Sequence, residues 1–86
     1  MSRPVKRSLS LQGHATSVSL EPEFWAALQG IAMARGLSVS ALVAEIDVAR
    51  RDGTGLATAL RLHVLADLQR RLAAAQPVAG PAGGIE

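Results

Sequence analysis

From His14 to Leu20 the chain alternates: Thr16, Val18 and Leu20 fall on one side of an extended backbone, and Ala15, Ser17 and Ser19 on the other. A period of two with β-branched residues predicts a half-buried strand. The period then changes. In "EPEFWAALQGIAMARG" Phe24, Leu28 and Ile31, flanked by Trp25 and Ala32, recur at helical spacing. Pro22 suits the first turn of that helix, Glu21 and Glu23 complement its positive end, and Gly36 stops it. A second helix is expected after Ser38, a good N-cap, with Val39, Leu42, Val43, Ile46 and Ala49 as its apolar stripe and Gly53 as its stop. A third is expected from Leu56 to Gln76, capped by Thr54. Leu60, Val64, Leu68 and Leu72 form its ridge, widened by Leu56, Ala57 and Leu65. The fold class predicted is mostly α with one short strand, β-α-α plus a third helix.

A lone strand cannot stay unpaired, because its N–H and C=O groups need partners. In one solution residues 6–11 fold back on 16–20 through a Gly13-His14 turn of type II′, pairing Leu11 with Thr16 and Leu9 with Val18. In the other, Thr16–Leu20 pairs antiparallel with the same segment of a second copy. The two are compatible. Four segments result: 1–13 as a basic N-terminal arm or outer hairpin strand, 14–53 as the core, 54–76 as the third helix, and 77–86, "PVAGPAGGIE", as a disordered tail.

Composition sharpens this picture. Of 86 residues 49% are apolar, yet Phe24 and Trp25 are the only aromatics, so the core must be aliphatic. There is no cysteine to staple so small a domain, which favours oligomerisation as the source of extra buried area. No apolar run approaches the length of a membrane span and no secretory signal is visible, so no membrane partner is expected and a cytoplasmic location is. Net charge is only +2, but Arg3, Lys6 and Arg7 fall within the first 20 residues, which hold no acid. A basic segment on a small domain points to a polyanion.

Candidate chemistry is sparse. His14 and His63 lie far apart with no cluster of ligands near either, so no metal and no cofactor is expected. Glu45 and Asp47 point to different faces of the second helix, and no nucleophile elbow or phosphate loop occurs, so an enzyme is not expected. Trp25, beside Phe24, is expected to pack rather than stack on a ligand.

The segment "TSVSLEPEFWAALQGIAMARGLSVSALVAEI", residues 16–46, resembles the ribbon-helix-helix family of bacterial DNA-binding regulators: an alternating strand, a helix, a link with Gly36, Ser38 and Ser40, and a second helix. More narrowly, "KRSLSLQGHATSVSLEPEFWAAL" with the later "ALRLHVL" looks like a short bacterial subgroup of that family, over roughly residues 6–66. The resemblance implies an intertwined homodimer with an intersubunit antiparallel β-ribbon, and higher order on DNA. Its shared core would comprise Val18, Leu20, Phe24, Trp25, Leu28, Ile31, Leu42, Val43 and Ile46. It implies double-stranded DNA as partner, with Ala15, Ser17, Ser19 and His14 against base edges. Ser38 and Ser40 at a helix N-terminus, with Arg3, Lys6 and Arg7, would meet phosphates. Transcriptional repression is the expected outcome. Ala15 departs from the long polar side chain common at the first outward position, so a dimerisation module that has lost DNA binding is one alternative. Another is an antitoxin-like adaptor holding a protein partner along the third helix through Arg61, Arg70, Arg71 and the leucines beside them. Because a four-stranded sheet is broader than a groove, the arm is preferred over the hairpin for residues 1–13.

Overall fold

The structure, a computed structural model, describes residues 2–75; the expected tail at 77–86 and the last residue of the expected third helix, Gln76, lie outside the described residues. Five elements follow in order: β1 (Val5–Leu11), β2 (His14–Leu20), α1 (Pro22–Ala34), α2 (Val39–Ala49) and α3 (Leu56–Ala75). The sequence predicted one strand; there are two, because residues 5–11 form a hairpin with 14–20 instead of a free arm.

The hairpin register runs Val5 to Leu20, Arg7 to Val18, Leu9 to Thr16 and Leu11 to His14. The expected register is therefore displaced by two residues. Its turn is Gln12-Gly13, with φ of 52° and 85°, and two positive values in succession are the signature of a type I′ turn rather than type II′. That twist matches the twist of the strands, and glycine at Gly13 takes the conformation without a Cβ penalty. Side-chain parity survives the displacement, so Leu9, Leu11, Val18 and Leu20 still share one face.

Helix α1 starts on Pro22, with the Glu21 carbonyl accepting from the Phe24 and Trp25 N–H groups at 2.9 and 3.1 Å. It closes in a Schellman motif: Leu37 N–H donates to the Ala32 carbonyl at 2.8 Å, Gly36 N–H to Met33 at 3.1 Å, and Gly36 has φ 70°. The chain then turns by 99° into α2, whose cap is Ser38 as expected; its Oγ accepts from the Ala41 N–H at 3.0 Å. Thr54 does not cap α3. The first helical bond runs from the Ala59 N–H to the Gly55 carbonyl, which makes Gly55 the boundary residue.

The core is a single aliphatic cluster around one indole: Leu20, Leu28, Leu42, Val43 and Leu60 are buried together with Trp25. All the residues expected in a shared dimer core sit in this one-chain cluster, Phe24 at its margin. Helix α3 contributes Ala59, Leu60 and Val64, but its ridge is covered over only half its length. Leu65, Leu68 and Leu72, expected on the apolar side, are 49%, 54% and 63% exposed. A helix of 20 residues is about 30 Å long, longer than the 13 and 11 residues of α1 and α2 can cover. The surplus projects, and the molecule measures 53 × 28 × 28 Å.

Candidate nucleic-acid interface

The hairpin has two unlike faces. Toward the helices it turns Leu9, Leu11, Thr16, Val18 and Leu20; away from them it turns Lys6, Ser8 and Ser10 from β1 and Ala15, Ser17 and Ser19 from β2. Across the strands Lys6 faces Ser19, Ser8 faces Ser17 and Ser10 faces Ala15, and all six residues are exposed. Ser17 and Ser19 thus lie where the sequence placed them. Ser8 and Ser10 were absent from the base-contact candidates, although the alternation of "RSLSLQ" carries the same signal as that of "HATSVSL". The result is a flat face of four hydroxyls and one ammonium group, without a carboxylate.

Short side chains matter here. A hydroxyl both donates and accepts, and its small reach lets a backbone come close to whatever it contacts. The far edge of β2 is also open. With Leu11 and His14 flanking a two-residue turn as a hydrogen-bonded pair, the backbone groups of Ala15, Ser17 and Ser19 point away from β1.

Two expected contacts lie elsewhere. Arg7 pairs with Val18 on the helix side of the hairpin, and its guanidinium carbon stands 5.3 Å from the centroid of the Trp25 ring. This is a cation–π contact, and it takes Arg7 off the serine face. The same indole donates from Nε1 to the Val5 carbonyl at 3.1 Å, pinning the start of β1 to α1. His14 shares the parity of Thr16 and lines a cleft with Ala44, Asp47, Arg50 and Leu56, so it too lies on the side opposite the serines. Arg3 is exposed just before β1, beside Ser2, whose hydroxyl donates to Glu23 at 2.9 Å.

Ser38 and Ser40 open α2 as expected, and among the described residues the Val39 and Ser40 N–H groups have no acceptor. The hairpin tip, however, meets the other end of that helix, at Ala44, Asp47 and Arg50. Ser38 is about 13 Å along the helix from Asp47. The structure therefore gathers Lys6, Ala15, Ser17 and Ser19 into one face and leaves the helix N-terminus outside it.

Ion pairs hold the frame that presents this face. Arg61 of α3 donates from Nε and Nη2 to the Glu21 carboxylate at 3.0 and 3.2 Å, locking the corner between β2 and α1. The Arg61 hydrogen bonds hold the Glu21 carboxyl below its ordinary pKa of 4.5. Arg35 donates from Nη2 alone to both Glu45 carboxylate oxygens, at 2.8 and 2.9 Å, with the same downward effect on Glu45 and an upward one on Arg35. Arg70 and Arg71 both bind Asp67 at 2.8 Å.

A polar ribbon backed by a three-helix frame defines a small α+β domain built to present a strand pair. A sequence model of the ribbon-helix-helix domain matches residues 4–68, and the chain belongs to that family. Domains of this family generally bind DNA and dimerise. Neither the curated proteins nor the solved structures gave a match.

Proposed function

We propose that the protein is a homodimeric transcriptional repressor of the bacterial cytoplasm that lays the serine face of its hairpin in the major groove of operator DNA. The observation that carries this reading is the outward face itself: Ser8, Ser10, Ser17 and Ser19, all exposed, with Lys6 at one corner. The major groove is about 12 Å wide and admits a two-stranded ribbon. One hairpin has that width, so a single protomer already holds a ribbon of suitable size, and two protomers supply two. Lys6 and Arg3 add phosphate contacts beside it, while the α2 N-terminus at Ser38 and Ser40, which lies outside that face, is not needed for groove entry. Serine and alanine discriminate little between bases, so specificity draws on DNA shape and on the copies acting together.

The open edge of β2 supports the intersubunit pairing that the family resemblance implies. Pairing about Ser17 keeps the serines of both copies on one face, and the joint sheet is four strands wide. Such a sheet is broader than one groove and would span phosphate ridges. Groove entry therefore requires the two hairpins to stay separate, and the paired sheet is the competing arrangement. Chemical footprinting distinguishes the two by whether base edges or only backbones are protected.

The test of the function is a titration of labelled duplex DNA across a salt series. Affinity should fall steeply with salt, and Lys6→Ala should reduce the log–log slope by about one per protomer bound. Ser17→Glu with Ser19→Glu should abolish binding while the helical signal stays unchanged. Negligible affinity at low salt overturns the reading and leaves a dimerisation module, the outcome to which Ala15 would point. A second reading, an adaptor for a protein partner, is favoured by one observation, the bare ridge of Leu65, Leu68 and Leu72. It requires a stable partner that is released when Leu65 and Leu72 become glutamate.

A further inference from the structure

Between the C-terminal half of α2 and the first half of α3 lies a cavity of about 380 Å³, at the small end of the range for ligand sites. Its apolar lining is aliphatic, with Ile46 and Ala59 buried at the floor and Ala49 and Leu62 exposed at the sides, and no phenyl or indole ring lines it. Its rim is basic, with Arg50, Arg51 and His63 against one carboxylate, Glu45. That carboxylate is already spent on Arg35, at 2.8 and 2.9 Å. Arg50 is likewise committed, to Asp47 at 2.7 Å and to the Thr54 carbonyl at 2.6 Å. The Arg51 carbonyl accepts from the Thr54 N–H at 3.0 Å, but its guanidinium makes no hydrogen bond and no ion pair among the described residues.

We propose that this cavity binds a small aliphatic monocarboxylate, with the carboxylate on Arg51 and a medium-length acyl chain along the floor. A guanidinium offers a carboxylate two parallel hydrogen bonds, and the uncommitted charge at the mouth sets the sign of the ligand. One anionic group suffices, since a second would meet Glu45. The site also reaches the ribbon. Arg50 lines both this cavity and the cleft that holds Gln12, His14 and Ala15 at the hairpin tip, and the turn that Arg50 ties to Thr54 forms part of the wall. Occupation of the cavity therefore bears on the ribbon through Arg50. Binding stands independently of the DNA reading, and only its regulatory meaning rests on it.

The experiment titrates octanoate, below its micellar concentration, into the isotope-labelled full chain without DNA. Saturable amide shifts are expected at Ala49, Arg51, Leu62 and His63, with a smaller shift at His14. Arg51→Gln should weaken binding about tenfold or more with the remaining spectrum unchanged. Octanol and octylamine, which carry the chain without the anion, should not saturate. Failure to saturate at millimolar octanoate, equal affinity in Arg51→Gln, or shifts on the Leu65–Leu72 ridge in place of the cavity would each overturn the site. Shifts that stop short of His14 would overturn the link to the ribbon.

Discussion

Replacing Leu60 by alanine, with Leu68→Ala as its comparison, tests whether α3 is part of the folded unit or an appendage to it. Both leucines lie on the same helix, eight residues apart, but Leu60 is wholly buried and Leu68 is 54% exposed. Truncating a buried leucine removes transfer energy and leaves a cavity, at a cost of about 3–5 kcal/mol. At Leu68 roughly half of the transfer term applies and solvent fills the gap, so the cost is at most about 1 kcal/mol. A chain of this length has a total stability of about 4–13 kcal/mol. Leu60→Ala thus removes a large share, and with a urea dependence near 1 kcal/mol per molar the midpoint falls by about 3–5 M. The measurement is urea unfolding followed by circular dichroism at two well-separated protein concentrations. A Leu60→Ala cost below about 1 kcal/mol, or equal costs at both sites, refutes the assignment of α3 to the core. A Leu68→Ala loss that grows with concentration places a second copy on that ridge.

Acid should loosen the corner between β2 and α1. The Arg61 hydrogen bonds lower the Glu21 pKa from 4.5, so their contribution is complete above that value and disappears as pH falls through the lower folded-state pKa. Glu21→Gln should therefore cost stability at neutral pH and progressively less below pH 4.5, read as converging thermal midpoints. At the hairpin tip, Gly13→Ala forces a side chain into φ 85° and should cost about 1–2 kcal/mol, whereas Gln12→Asn, better suited to its own φ of 52°, should raise the melting temperature.

Helices α1 and α2 could be read from the sequence because their signals are local: proline at the start of α1, a serine cap on α2 and a stripe at helical period in both. The glycine stop held for α1 at Gly36, but α2 ends at Ala49, with Arg50 extended, before the expected stop at Gly53. The strand β2 was legible from equally local signals. The register was not. A glycine serves a two-residue turn in its first or second central position, and both choices keep Leu9 and Leu11 on the face of Val18. The pattern therefore could not separate them, and only the pair of positive φ values at Gln12 and Gly13 does. Arg7 was misplaced for another reason, the preference for an arm over a hairpin in residues 1–13, since a charge near a terminus reads as solvated until the hairpin seats it over Trp25. The leucines of α3 posed a different difficulty. Periodicity reports which side of a helix is apolar but not how far its neighbours extend, so Leu68 and Leu72 looked like core and lie beyond it.

The single indole of this protein is also a ready-made optical gauge. Its ring edge holds the start of β1, its face carries a guanidinium from the same strand, and no other tryptophan or tyrosine is present to blur the signal. Lifting β1 from the helices would bring water to the Trp25 ring and move its emission to longer wavelength. Intrinsic fluorescence thus follows the seating of the ribbon directly, without an attached dye.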